Sequence, residues 1–293
     1  MVYKSGFATI IGRPNVGKST LINKLIGQKI NITSRKPQTT RNQIKTIYNS
    51  EEGQIIFVDT PGIHKPKDEL DEYMLNQAYQ SLEGIDVIIL LLEANSSFGQ
   101  GDNFIIKQIN GMEKDLLVVM NKIDLIDKNL LRQRKNKYEE KIGQEVIPVS
   151  AKTGKNLDFL VEMIFSKLPE GPQYYPEDMI TDKIERFVIG EIIREKTFEL
   201  LRDEVPYGVA VVTEEVKERE NDMFYVRANI YVEKKSHKGI VIGKNGKMLR
   251  KIGRRAREDV EKLLQADVYL DLWVKVHQDW RDNNYLLRQL GYK

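Results

Sequence analysis

The chain has 293 residues, 41% hydrophobic and 30% charged, which is enough for two cored domains; it has no cysteine, which excludes disulfides and thiolate metal sites and fits a reducing cytosol. The longest apolar run, Val87 to Leu92, suits a buried strand and is too short to span a bilayer. No signal-peptide core opens the sequence, so the chain is expected in the cytosol, with membrane contact at most peripheral, at the inner face of the cell membrane.

In chain order, "GFATII" reads as a strand, followed by a glycine-rich loop and a helix from Lys18 to about Ile26. "IKTIY" and "QIIFV" read as strands, and Glu69–Leu82 as a helix. "DVIILLL", "LLVVM" and "VIPV" read as buried strands, with helical patterns near 100–110, 130–141 and 157–167. Strands alternating with helices predict an α/β domain with a mostly parallel sheet over 1–170. Residues 171–182 fall in a proline-rich stretch and are expected to be a linker. From 183 to 293 the order becomes α-β-β-α-α-β, a smaller α+β module with a short helix at its end.

"GRPNVGKS", Gly12 to Ser19, satisfies G-x-x-x-x-G-K-[ST] between a strand and a helix. Backbone amides from Gly12, Asn15, Val16 and Gly17 to Thr20 face phosphates there, Lys18 reaches the β/γ oxygens, and the Ser19 hydroxyl binds Mg²⁺. "DTPG", Asp59 to Gly62, ends a later strand, so Asp59 can hold Mg²⁺ through water and the Gly62 amide can meet the γ-phosphate. A threonine of "NITSRKPQTTRNQ" completes the Mg²⁺ shell, with Thr40 favoured over Thr39. Loss of the γ-phosphate would release both segments, a two-state switch.

The base is read by "NKID" and "SAK". Asp124 can accept both N1–H and the exocyclic amine of guanine, whereas adenine would leave a buried charge unpaired. The Lys122 stem can cover the base, Asn121 can tie this loop to the phosphate loop, and "SAK", Ser150 to Lys152, would offer the Ala151 amide to guanine O6.

These elements resemble the translation-factor-related GTPases over the first 170 or so residues. The resemblance implies GTP hydrolysis with GTP/GDP and Mg²⁺, and slow intrinsic turnover. Where Ras-like members carry a water-positioning glutamine this chain has Ile63. In the subfamily with a hydrophobic residue there, the asparagine matching Asn15 coordinates K⁺ at the phosphates, so Lys18, Gly62 and Asn15 are the implied catalytic groups.

Net charge is +3, and residues 1–172 (23 basic, 21 acidic) and 173–293 (23 basic, 22 acidic) are each balanced. Yet Lys234 to Arg257 holds ten Lys or Arg and no acid, a stripe suited to a polyanion or, alternatively, a solvated helix face. Within it "GKNG" is no second Walker loop, since no hydroxyl follows either lysine and helices flank it. Its G-x-x-G in a helix-turn-helix resembles a type II KH domain. On that resemblance Gly243, Lys244, Asn245, Gly246 and Lys247 meet an RNA backbone, Arg250, Lys251 and Arg254 add charge, and Ile240 and Ile242 line an apolar groove for bases. A GTPase domain followed by such a module resembles the Era-type family of bacterial ribosome-assembly GTPases across nearly the whole chain. That implies the 3′ end of small-subunit (16S) rRNA and the small ribosomal subunit as partners of a monomer, with peripheral membrane association. The competing reading is a signalling or membrane-regulatory GTPase whose C-terminal domain recruits proteins; a metabolic ATPase is a third.

His64, His237 and His277 show no metal-ligand spacing, and Lys65 and Lys67 are either solvated or contacts to RNA or to the other domain. Trp273 is expected in the core, and Trp280 and Tyr285 are expected to pack.

Overall fold

β1 (Lys4–Ile11), β3 (Gly53–Asp59), β4 (Val87–Glu93), β5 (Asp115–Asn121) and β6 (Val146–Pro148) are buried almost throughout, as expected of strands covered on both faces. With β2 (Ile44–Ser50) they form a six-stranded sheet in the order β2-β3-β1-β4-β5-β6, parallel except for β2. This computed structural model describes residues 2–31, 40–61, 66–112, 114–219 and 222–292.

The period of two along β4 splits its apolar run between two cores. Ile89 and Leu91 pack with α1 (Lys18–Ile26) and α5 (Leu157–Lys167), through Leu21, Ile22, Leu160 and Ile164. Ile88, Leu90 and Leu92 pack with α3 (Gln100–Ile109) and α4 (Lys128–Ile142), through Ile105, Ile109 and Tyr138. The remaining helix of this stretch is α2 (Glu69–Gln80). Because the strands run in parallel, the residues that follow β1, β3, β5 and β6 all emerge at one edge, so four motifs spread over 140 residues of sequence share one end of the sheet.

The described residues divide into two packed units, one ending at Asp182, the other holding residues from Lys183 together with Pro66–Tyr73. Residues 171–182, expected as a linker, belong to the first unit. The Gln54 side chain, fully buried, donates to the Tyr175 carbonyl (2.9 Å) and accepts from the Tyr174 and Tyr175 amides (3.0 Å each). Further on, Ile47 N donates to Ile180 O (3.0 Å) and Thr181 Oγ1 to Lys45 O (2.9 Å). The segment thereby covers the open edge of β2, which a linker reading misses because prolines suit an edge cover as well as a tether.

The second unit runs α6 (Glu185–Leu200), β7 (Ala210–Glu218), β8 (Phe224–Val232), α7 (Lys235–Ile242), α8 (Lys247–Leu264), β9 (Val268–Val276) and α9 (Asn284–Gln289). Its sheet is β7-β8-β9, antiparallel then parallel, the type II KH order. In α8, Ile252, Ala256 and Val260 recur every four residues and are fully buried, which turns Lys251, Arg254 and Arg255 outward. One face of the sheet packs on this helix layer through Val226, Ala228, Ile230 and Val274. Trp280 is fully buried and donates Nε1–H to Gly208 O (3.0 Å). Trp273, expected in the core, is 58% exposed, and Tyr285, expected to pack, is 68% exposed. The apolar alternation of β9 fills the inner face with Leu270, Leu272 and Val274, which leaves Trp273 on the other one. No described helix is long and apolar enough to cross a membrane.

Candidate nucleotide site and nucleic-acid groove

At the carboxyl edge of the first sheet, Lys18 is buried at the start of α1, and its Nζ donates to the Gly12 and Arg13 carbonyls (3.3 Å each). Gly17 has φ of 104°, and a Cβ there would lie 2.4 Å from Asn121 Nδ2, so only glycine lets the phosphate loop meet the "NKID" loop so closely. Asn121, buried, donates Nδ2–H to Val16 O (2.9 Å) and accepts from Ala151 N at Oδ1 (2.9 Å). It thus makes the expected tie to the phosphate loop and a second one to "SAK". The Ala151 amide, expected to meet guanine O6, is therefore engaged by Asn121.

Lys122 sits at φ 65° and donates to Asn15 O (2.6 Å) and to Glu93 Oε1 (2.7 Å), so its stem lies across the loop where a base would rest. Ser150 Oγ donates to Asp124 Oδ1 (2.6 Å), which aims the otherwise exposed Asp124 carboxylate. Thr20 is half-buried in the first turn of α1, and the Lys152 side chain is exposed. Sequence reasoning missed Glu93, the ion-pair partner of Lys122; its position at the end of β4, beside the strand that carries "NKID", was the available signal.

Three oxygen-bearing side chains converge below Lys18. Ser19 Oγ donates to Asp59 Oδ2 (3.0 Å) and lies 3.1 Å from Thr40 Oγ1, which is itself 3.4 Å from Asp59 Oδ2. Asp59 Oδ1 is buried with no hydrogen-bond partner among the described residues. Burial pushes the Asp59 carboxyl above its ordinary pKa against the opposing effects of Lys18, Ser19 and Thr40, and burial likewise lowers that of Lys18 against the pull of Asp59. Each charge is therefore short of solvation. A triphosphate would supply the missing partner for Lys18 and a hard cation the one for Asp59, and hydroxyl and carboxylate oxygens suit Mg²⁺. Thr39, Gly62, Ile63, His64 and Lys65 lie outside the described residues.

In the second unit, Gly243 has φ of 72°, and a Cβ there would come within 2.7 Å of Met248 Cβ. The 3-10 turn Lys244–Gly246 connects α7 to α8, with Asn245 left-handed at φ 54°; Lys247 opens α8. Arg250 donates to the Asn245 carbonyl and to Gly246 O (3.4 Å), bracing the turn from the helix behind it. Beside the turn, a groove of about 670 Å³ runs between α8 and β9. Its walls include Leu249, Leu270 and Leu272, and Arg250, Arg254 and Arg257 stand along it. Ile240 and Ile242, expected in that role, are not among its lining. Ile240 is 48% exposed, and Ile242 packs on the core, because α7 turns Val241 and His237 inward. The amphipathic period of α8 and the alternation of β9 carry the signal for the walls of this groove.

The sequence matches two family models, a 50S ribosome-binding GTPase over residues 7–122 and a KH domain over 204–281. It is 64% identical to GTPase Era of Halothermothrix orenii over 293 residues and 51% identical to that of Alkaliphilus metalliredigens over 295, with both chains covered in full each time. Among solved structures, it is similar to Era in complex with MgGDPNP and nucleotides 1506–1542 of 16S ribosomal RNA (42% identity, TM-score 0.96) and to a single-residue variant of Aquifex aeolicus Era bound to GDP·AlF₄⁻ (42% identity, TM-score 0.95), each covering 99% of both chains. With a phosphate loop, a guanine-type loop pair and a KH module joined in one chain of this length, the protein belongs to the Era family of GTPases.

Proposed function

We propose that the chain is a GTP- and Mg²⁺-dependent switch that hydrolyses GTP and binds the 3′ end of 16S rRNA, assisting maturation of the small ribosomal subunit. The observation that carries this is the basic, leucine-walled groove beside the Lys244–Gly246 turn in a chain that also holds the Ser19, Thr40 and Asp59 oxygens together. In this reading Gly12, Asn15, Val16, Gly17, Lys18 and Thr20 hold the phosphates, and Asn121, Lys122, Asp124, Ser150, Ala151 and Lys152 hold the base. Ser19, Thr40 and Asp59 hold the Mg²⁺, whose charge offsets that developing on the transferred phosphate. Gly62 is proposed at the γ-phosphate and Asn15 as a K⁺ ligand; equal GTPase rates in K⁺ and Na⁺ exclude the latter. Lys244, Lys247, Arg250, Lys251 and Arg254 neutralise RNA phosphates while Gly243, Asn245 and Gly246 let the backbone approach, and bases pack on the groove's leucines beside Ile240 and Ile242. The proposed place of action is the cytosol, with contact to the inner face of the cell membrane peripheral.

The test is fluorescence anisotropy of the full chain with RNA of 16S nucleotides 1506–1542. Binding tightens with a GTP analogue relative to GDP. Lys244→Gln with Lys247→Gln lowers the salt dependence, log K against log[salt], by about 0.7 for each phosphate that is no longer neutralised. RNA binding that is indifferent to nucleotide and to both lysines overturns the reading, and favours the protein-recruiting alternative if partner proteins bind in its place.

A further inference from the structure

In the second unit α6, α7 and α8 pack together on one face of the three-stranded sheet, and the other face carries exposed aromatic side chains. Period-two alternation along β9 sends Leu270 and Leu272 to the groove and Tyr269, Asp271 and Trp273 to the outer face. Tyr269 is 56% and Trp273 58% exposed, the side chains whose burial would be worth most. They are not loose. Tyr269 stacks on Tyr225 of β8 (centroids 6.0 Å apart, planes 16° apart), and the Arg219 guanidinium lies 4.2 Å above the Tyr225 ring. Tyr225 Oη and Trp273 Nε1 both donate to Asp271 Oδ2, at 3.0 Å each. One carboxylate therefore sets two rings on adjacent strands, and the result is a ladder of Arg219, Tyr225 and Tyr269 with Trp273 next to it.

Rigid exposed rings on paired strands lose little entropy when a flat partner stacks on them. The charges indicate which partner. The acids of this face are engaged locally: Asp271 by the two ring donors, Glu215 by Arg227 (3.5 Å). Arg219 and Lys275 instead lie over tyrosine rings at the margins of the face. Cations bracketing aromatic rings suit a chain of phosphates and bases. Continuity points the same way, because Tyr269 also forms part of the groove wall, so a strand leaving the groove across β9 arrives at the ladder. We propose that the outer face of this sheet is a second RNA-contact surface, where bases of the strand that leaves the α8–β9 groove stack on Trp273 and on Tyr269. This rests on the reading that the groove takes RNA; the segment bound by the solved relative, nucleotides 1506–1542, is far longer than the four nucleotides a KH turn clamps.

The experiment uses the full chain with two RNAs, that long segment and a piece of its 3′ end of about six nucleotides, enough for the groove alone. Trp273→Leu is expected to weaken the long RNA about tenfold and the short one less than about twofold, with unchanged melting temperature, and adding Tyr269→Leu to weaken the long RNA further, to about a hundredfold. The Lys244→Gln, Lys247→Gln protein weakens both. Trp273 is one of two tryptophans, and the other, Trp280, is fully buried, so stacking also reads out as quenching of tryptophan emission by the long RNA and not by the short one. The proposal is overturned if the leucine variants bind the long RNA like the parent and it leaves the emission unchanged. If those variants then lose affinity for purified small subunits, the face takes a protein instead. Should the lysine variant bind both RNAs normally, it is the groove reading that fails, whatever the outer face does.

Discussion

Asp124→Asn will lower affinity for GDP and GTP by about a hundredfold to ten-thousandfold and create affinity for xanthosine nucleotides. The carboxylate accepts two donors from guanine, N1–H and the exocyclic amine. Asparagine keeps one acceptor and turns an amide donor toward the other, so a buried donor meets a donor. Xanthine carries a carbonyl where guanine has that amine, which restores the match. The Ser150 hydroxyl, 2.6 Å from Asp124 Oδ1, holds the side chain in the orientation that this match requires, and an asparagine oxygen can accept the same bond. Asp124 is exposed, so the variant should melt like the parent. Titration with fluorescent GDP and XDP decides it: retention of GDP affinity within about threefold means that the base is read elsewhere.

Asn121→Ala is the second large effect, and it acts through the loops instead of the ligand. Its amide joins Val16 O and Ala151 N, 2.9 Å on either side, in a buried position. Truncation leaves one acceptor and one donor without partners, at about 1–3 kcal/mol each. In a unit of this size that corresponds to a melting temperature lower by roughly 5–15 °C. Nucleotide affinity should fall in parallel, by about thirtyfold or more, because the phosphate loop and the base loops are no longer held in register before the ligand arrives. Asn121→Asp separates the two halves. It keeps an acceptor for Ala151 but sets a carboxylate oxygen against the Val16 carbonyl, so it should lose nearly as much affinity as alanine. If Asn121→Ala melts and binds like the parent, the bridge contributes nothing.

Both predictions start from motifs that could be read in the linear chain. Gly12 to Ser19, Asp59 to Gly62, Asn121 to Asp124 and Ser150 to Lys152 each follow an apolar run of strand length, and the requirements of phosphate, cation and guanine are local. The same holds for the order α-β-β-α-α-β and for the glycines at 243 and 246. Short-range chemistry and the periods of 2 and 3.6 are properties of neighbouring residues, so one chain suffices to show them.

What the linear chain could not determine is which surfaces meet. Asn121 occupies the Ala151 amide because two parallel strands bring those loops side by side, a fact of sheet order. Thr40 joins Ser19 and Asp59 because the chain entering β2 passes the end of β3. Residues 171–182 become an edge cover because the buried amide of Gln54, at the start of β3, grips them and β2 bonds to Ile180 and Thr181. In "VYLDLWVKV" both alternating sets are rich in large apolar or aromatic side chains, so the pattern alone cannot say which set is inside. A sheet covered by helices on one face decides it, burying Val268 and Val274 and leaving Tyr269 and Trp273 in water. Burial belongs to a pair of surfaces and is settled by long-range packing, whereas the chemistry of a loop belongs to the residues that compose it.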